Sequence, residues 1–179
     1  MAHSKHIRQA RLDDVARIYE AIRDNPDEVL PRSAPDILSH FDRFYVYDDG
    51  ELRGVISWQV LPDLDLDQPD RTVEIISFSV RKADQGRGIG AALLRRMIEI
   101  LNGFNLDRVI VLTFYPGFFA KFGFHKTSKK TLYHKIYLGC IHCVKHQSPL
   151  TCPEVAMELK MGQGRERTKH KDTKTRRKK

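Results

Sequence analysis

Glu74-Ile75-Ile76-Ser77-Phe78-Ser79-Val80, then Arg81-Lys82-Ala83-Asp84, then Gln85-Gly86-Arg87-Gly88-Ile89-Gly90: the reading of this stretch decides the fold. β-Branched and aromatic residues dominate Thr72–Val80, which predicts a strand. From Gly88 to Leu101, the residues Leu93, Leu94, Met97, Ile98 and Leu101 recur at helical spacing and predict an amphipathic helix with that face inward. A helix start leaves several N–H groups without partners, and its dipole favours negative charge there. Glycines at 86, 88 and 90 permit positive φ and let the backbone approach a ligand. Strand, turn and helix head together make an anion cradle suited to a pyrophosphate, to which Arg87 can add charge-assisted bonds. A plain tight loop is the other reading of such a turn. The spacing does not fit the G-x-G-x-x-G dinucleotide fingerprint, and no G-x-x-x-x-G-K-S/T phosphate loop occurs.

The same punctuation organises the flanks. Lys5–Ala10 predicts a short strand, and Asp13 and Asp14 open a helix with Val15, Ile18, Ala21 and Ile22 on one face. Ser33, with Asp36 three residues on, resembles a capping box for a second short helix. Phe44–Tyr47 and Leu52–Leu61 read as a hairpin turning at Asp48-Asp49-Gly50. Downstream, Arg108–Thr113 predicts a buried strand, Gly117–Phe122 a short helix, and Glu154–Lys160 a closing strand. Residues 128–152 form an irregular connection that holds all three cysteines.

With 41% hydrophobic and 30% charged residues in 179, the chain suits one globular domain, assigned to residues 1–161. The net charge of +8 is uneven: residues 162–179 carry nine Lys/Arg against two Asp/Glu, leaving 22 basic and 21 acidic residues in the rest. That tail has no aliphatic or aromatic residue, so it reads as a disordered appendage, with weak polyanion binding as the alternative. No apolar run approaches the roughly 18 residues of a membrane span. No apolar stretch follows the N-terminal charges, so a cytoplasmic location is expected. Nucleic acid is not an expected partner beyond the tail, and a homodimer is left open.

Strand, short loop, Q/R-x-x-G-x-G/A and amphipathic helix resemble motif A of the GNAT acetyltransferases, with Gln85, Gly88 and Gly90 at its defining positions. The strand-helix-Gly-Phe ending of Val109–Phe124 is similar to the segment that follows in that family. The resemblance spans Ile7 to Met161. It implies an α/β (α+β) fold: a mixed, mostly antiparallel sheet of about six to seven strands, splayed between strands 4 and 5 and flanked by about four helices. It implies acetyl-CoA as acetyl donor, pantetheine along the main chain of Phe78, Ser79 and Val80, and the pyrophosphate on Gln85, Gly86, Arg87, Gly88, Ile89 and Gly90. The Val80 amide would sit near the thioester oxygen and stabilise developing charge. Leu30-Pro31-Arg32-Ser33, the Glu74 strand, Leu112–Phe119 and Lys135–Met157 are similar to the stand-alone N-acetylglutamate synthases and their relatives. That narrower likeness implies L-glutamate as acceptor and the first step of arginine synthesis. The alternatives are another small amine, a protein lysine or N-terminus, or a non-catalytic acyl-CoA sensor.

Before its nitrogen can attack, an acceptor ammonium must lose a proton. Glu74, in the strand beside the thioester, is the candidate base, and burial would raise its pKa and suit it to the task. The competing reading is a solvent-exposed strand-end glutamate. Arg32 can grip a carboxylate through two parallel bonds, or it is a surface arginine beside a helix cap. Many GNAT enzymes carry a proton-donating tyrosine four residues before the Gly-Phe glycine; here that position is Phe119. Tyr115 is the nearest hydroxyl in sequence and the candidate acid, unless it is a core or lid residue or no acid is needed. Cys140, Cys143, Cys152 and His146 could hold a structural zinc, or the cysteines are reduced thiols or a disulfide. Asp63, Asp65 and Asp67 alternate, but the glycine and bidentate glutamate of a calcium loop are missing. Trp58 fits the apolar alternation of its strand and is expected in the core; His134 and His142 are expected to be loop residues.

Overall fold

The computed structural model describes residues 3–62, 70–132, 143, 148 and 151–162. The strands are β1 (Ile7–Gln9), β2 (Phe44–Asp48), β3 (Leu52–Leu61), β4 (Thr72–Val80), β5 (Arg108–Thr113), β6 (His125–Lys126) and β7 (Val155–Lys160). The helices are α1 (Val15–Arg23), α2 (Ala34–Ser39), α3 (Ile89–Asn102) and α4 (Pro116–Ala120). One sheet runs β1-β2-β3-β4-β5-β7-β6, antiparallel throughout except for the β4/β5 pair. This is the expected mixed sheet. Among the described residues no helix is long and apolar enough to cross a membrane.

Strand alternation assigns the two faces. Ile56, Val73, Ile75, Val109 and Val111 pack with Leu93, Leu94, Met97 and Leu101 of α3, whereas Phe44, Val46 and Val55 pack with Ile18, Ala21 and Ile22 of α1 and Ile37 of α2. Adjacent residues Val55 and Ile56 thus face opposite layers, as a period of two requires. Each such side chain removed from water contributes about 1.5–3 kcal/mol. Ile110 belongs to a third cluster with Leu61, Leu132 and Ala156, so β5 is covered on both faces.

Several boundaries differ from expectation, and local chemistry explains them. The first strand is only Ile7–Gln9, because residues Ser4–His6 coil into a 3-10 turn. Asp14 stands in a 3-10 turn before α1, where its carboxylate accepts the Arg11 N–H at 2.8 Å. Ser33 caps α2 by accepting the Asp36 N–H at 3.2 Å, but the Asp36 carboxylate turns to Arg32, so the return half of a capping box is replaced by an ion pair. Pro116 moves the start of α4 one residue earlier than predicted, since proline suits a helix's first position. Trp58 is half-buried rather than core: Phe104 packs on it at 5.1 Å between ring centroids, and the Arg43 guanidinium lies over it at 5.6 Å. Asp63, Asp65, Asp67, His134, His142 and residues 163–179 of the tail lie outside the described residues.

The feature that positions the site is incomplete pairing of β4 with β5. Their parallel register covers Thr72↔Arg108, Val73↔Val109 and Glu74↔Ile110 only. Below that point the two strands are clamped: Arg108 meets Asp70 at 2.5 Å, Glu158 at 3.4 Å and the Thr72 hydroxyl at 3.0 Å, and Arg71 donates three bonds to the Asp107 carboxylate, one from its backbone N–H and two from its guanidinium. Above it β4 bulges. Val55 and Ser57 of β3 face Ser79 and Ile76, so β4 carries one extra residue there, and Ser77 adopts φ +50°. A bulge bends its strand and increases local twist. Beyond Glu74 the two strands therefore separate.

A charged network fastens α1 to the sheet edge. Arg8 bridges Asp14 and Asp48 at 2.6 Å each, and Arg17 reaches the same two carboxylates at 3.2–3.3 Å. Hydrogen bonds and charge from Arg17 and Arg8 hold the Asp48 carboxyl down at about 2, against its ordinary 3.8. A lowered folded pKa contributes stability that is complete above the unfolded value and disappears as pH falls through the folded one. Melts of the wild type and Asp48→Asn should therefore differ by a constant amount above about pH 4 and converge as pH drops towards about 2. A pH-independent gap would exclude titration of Asp48 as its source.

Candidate active site

The separation of β4 and β5 opens a cavity of about 700 Å³. Phe78, Val80, Gln85, Gly86, Gly88, Ile89 and Gly90 line it at one end, and Glu28, Arg32, Glu74, Thr113 and Tyr115 line it elsewhere. Residues far apart in sequence thus share one space.

The loop end is built by backbone conformation. Gly86 and Gly88 take φ +77° and +82°, where L residues are strained, and Gly88 is the N-cap of α3. No side chain caps that helix start, so its first-turn N–H groups are available to an anion. Gly90 departs from expectation: it lies inside the helix without positive φ, and a Cβ there would meet Phe78, Val80 and Phe118 at an ordinary 3.6–3.8 Å. Its contribution is room on the cavity wall. Arg87 also departs. It is 64% exposed, donates to Asp84 at 2.9 Å and is not a lining residue. Asp84 is buried and also receives Arg53 at 3.1 Å, so the loop's arginine is held by the protein's own carboxylate.

The main chain of β4 alternates in its partners. Arg81 N–H donates to the Arg53 carbonyl of β3 at 2.8 Å, while the Val80 carbonyl accepts from the side chains of Asn25 and Gln85. In extended chain a residue's N–H and C=O leave on the same edge, so the Val80 N–H faces away from β3. Ser79 is not a lining residue; its buried hydroxyl receives Asn25 and donates to the Ala21 carbonyl.

At the other end Glu74 is only 2% exposed, and its cross-strand partner Gln59 donates to Oε2 at 2.7 Å. The exposed strand-end reading is therefore excluded. Arg32 donates through Nε to the Ser77 hydroxyl at 3.1 Å and through Nη1 to Asp36 at 2.8 Å, so its guanidinium is fixed on the cavity wall. Tyr115, at the N-cap of α4, donates its hydroxyl to Glu28 and so joins two loops that line the cavity. That bond, then burial, raises its pKa above the ordinary 10.0. Phe119 is buried in edge-to-face contacts with Phe78, Phe118 and Phe124 and has no polar role. Cys143 and Cys152 are free thiols on the cavity wall, and the Cys152 thiol, pushed up by burial, donates to Glu154 at 3.5 Å. Cys140 and His146 lie outside the described residues, and no cluster able to hold a metal occurs among those described.

Sequence reasoning missed Asn25, Glu28, Gln59 and Ser77. Asn25 and Glu28 sit in a turn of ordinary loop composition, and only the meeting of α1 with β4 reveals them. Gln59 could have been found by aligning the hairpin of β3 against β4, which sets it opposite Glu74.

A splayed sheet, an uncapped helix head under a glycine turn, and a buried carboxylate in the same cavity define an acyltransferase domain. The chain matches the acetyltransferase (GNAT) family over residues 15–124 and belongs to that family. It is thus an N-acetyltransferase of the class that takes its acetyl group from acetyl-CoA. An uncharacterized N-acetyltransferase of Chlorobaculum tepidum is 29% identical over 84% of this chain and 93% of its own. The amino-acid acetyltransferase of Mycobacterium tuberculosis is 31% identical over 66% of this chain and 67% of its own. Among solved structures, a Mycobacterium tuberculosis protein in complex with CoA superposes with TM-score 0.70 at 24% identity, over 87% of this chain and 98% of that one. N-acetylglutamate synthase from Neisseria gonorrhoeae, complexed with coenzyme A and N-acetyl-glutamate, gives 0.69 at 23% identity over 87% of this chain and 35% of its own. These last two likenesses are of fold.

Gly88→Ala places a Cβ in a left-handed conformation and should destabilise the fold by about 1 kcal/mol while weakening acetyl-CoA binding about tenfold or more. Gly90→Ala should stabilise the fold by up to about 1 kcal/mol, alanine being the better helix former, while its methyl group on the cavity wall weakens acetyl-CoA binding. Thermal melts and calorimetry with acetyl-CoA separate the two; equal behaviour would contradict the different conformations assigned.

Proposed function

We propose that this chain transfers acetyl from acetyl-CoA to the α-amino group of a free amino acid, L-glutamate foremost, which would place it at the first step of arginine synthesis. The observation that carries the reading is a buried carboxylate, Glu74, in one cavity with a fixed guanidinium, Arg32, and the glycine loop. The Tyr115–Glu28 bond joins two lining loops, a tie that favours a small acceptor over a protein segment, which would need an open groove. The name of the Mycobacterium tuberculosis relative, an amino-acid acetyltransferase, points the same way.

Acetyl-CoA supplies an activated thioester. The α3 head and Gly86–Gly90 hold its pyrophosphate, Phe78 and Val80 pair with pantetheine as an added strand would, and the Val80 N–H donates to the thioester oxygen as charge develops there. Arg32 grips the acceptor carboxylate and orients the amine. Glu74, oriented by the Gln59 bond, takes the ammonium proton through water; the nitrogen bonds to the acetyl carbon as the carbon–sulfur bond breaks. Tyr115 holds its proton across neutral pH and delivers it to the sulfur once its hydroxyl leaves Glu28.

CoA release measured across a panel of amino acids and amines should be greatest with L-glutamate; turnover with lysine peptides and none with glutamate would refute the acceptor. Glu74→Gln should lower the rate about 10²-fold at neutral pH, with the deficit shrinking as pH rises and the amine arrives deprotonated. A deficit independent of pH would remove Glu74 from proton transfer.

A further inference from the structure

We propose that Asn25 is a positioning residue for acetyl transfer: it ties the amide that meets the thioester to the loop that meets the diphosphate, through one buried carboxamide. Asn25 lies just beyond α1, is 3% exposed and does not line the cavity. Its Nδ2 donates to the Ser79 hydroxyl at 2.8 Å and to the Val80 carbonyl at 2.9 Å, and its Oδ1 accepts from Gln85 Nε2 at 3.0 Å. The orientation of the carboxamide follows from chemistry. A carbonyl only accepts, so the group facing Val80 must be the amide nitrogen, and the oxygen is left to face Gln85.

The bonds form a directed relay: Gln85 donates to Asn25, Asn25 to Ser79, and Ser79 to the Ala21 carbonyl at 2.7 Å. That carbonyl lies in the last turn of α1, where helix geometry leaves acceptors without partners. The relay thus starts in the glycine loop and ends on an element pinned to the sheet edge by the Arg8 and Arg17 network.

What it fixes is a peptide plane. The Val80 carbonyl receives both Asn25 and Gln85 (3.3 Å), and the N–H across the same peptide, at Arg81, donates to Arg53 at 2.8 Å. With the peptide after Val80 held from both edges and the Ser79 side chain held before it, the Val80 N–H on the peptide between them keeps its aim away from β3. Without Asn25 the Val80 carbonyl keeps only its longer bond to Gln85, and Gln85 loses an anchor. An oxyanion donor acts only where its geometry is set before charge develops. Gln85, read from sequence as a pyrophosphate ligand, has its side-chain nitrogen engaged by this relay, so its contribution is the shape of the loop.

The proposal rests on the reading that Val80 and the loop bind acetyl-CoA, and the test separates the two. Calorimetry with CoA and CoA release from acetyl-CoA are first measured on the wild-type full chain; absence of binding there defeats the underlying reading. Asn25→Asp keeps an acceptor for Gln85 but offers a carboxylate to the Val80 carbonyl. It should lower kcat about tenfold or more per CoA-binding site while leaving the Kd for CoA within about threefold. Asn25→Ala removes both arms, so it should lower kcat similarly and weaken CoA binding about fivefold or more. Should Asn25→Ala not fold, Ser79→Ala reads the relay from its other side and should lower kcat with CoA affinity kept. A merely structural Asn25 would lower the melting temperature and leave kcat per bound CoA within about twofold of wild type in Asn25→Asp and Ser79→Ala, and that result would overturn the proposal.

Discussion

Everything at this site depends on β4 leaving its neighbour after Glu74. A parallel pair that continued to Val80 would satisfy every amide between the strands and leave no cavity. The extra residue at Ser77 prevents it, and a serine with φ +50° persists only because its surroundings hold it there. Burial and the bond from Arg32 are two of those restraints. The side chain proposed to hold the acceptor is therefore also bonded to the bulge that opens the cavity, so the two halves of the site are mechanically joined.

A strand parted from its neighbour would fray if nothing else secured it. On the closed side, charged clamps at Arg71, Asp107 and Arg108 end the pairing at a defined residue. On the open side no strand among the described residues pairs with the end of β4, and the turn after α1 takes that place: Asn25 bonds Val80 and Ser79, and the Asp24 carboxylate accepts the Lys82 N–H at 2.7 Å. The neutral bonds at the buried end and the ionic ones at the partly exposed edge follow the cost of desolvation. A buried carboxamide with every group paired avoids the penalty that an ion pair there would bring.

The sequence made most elements legible because their patterns were local. Apolar residues at helical spacing marked α3, alternation marked the β2–β3 hairpin, and glycines marked the turn at 86–88. Glu74 and Arg32 could be singled out because they stand in stretches that resemble the family's, Glu74 in the strand before the glycine loop and Arg32 in Leu30-Pro31-Arg32-Ser33. What stayed hidden depended on where side chains turn once the chain has folded. Arg87 next to a phosphate-type loop reads as a ligand, yet Asp84 three residues earlier captures it, and only the 3-10 turn of Lys82–Asp84 brings the two together. Trp58 satisfied the alternation of β3 but sits where the sheet face ends, under Phe104 and Arg43. The bulge has no sequence mark: a glycine at 77 would have pointed to it, and the serine did not.

Charge gives the proposed acceptor a direction in the cavity. Three carboxylates on the wall are engaged by neutral donors: Glu28 by the Tyr115 hydroxyl, Glu74 by the Gln59 amide and Glu154 by the Cys152 thiol. On the proposed reading these carboxylates make that region the pole for an ammonium. A cation on the same wall is Arg32, whose ion pair with Asp36 is partly exposed and therefore weak enough to share with a ligand. An amino acid carries both complementary groups a few ångströms apart. On the proposed reading its ammonium would be drawn towards Glu74 and its carboxylate towards Arg32, an orientation that would set the nitrogen facing the thioester. A simple amine would satisfy only one of the two poles. On the proposed reading, selectivity for an amino acid then follows from where the charges stand, before any contact with its side chain is considered.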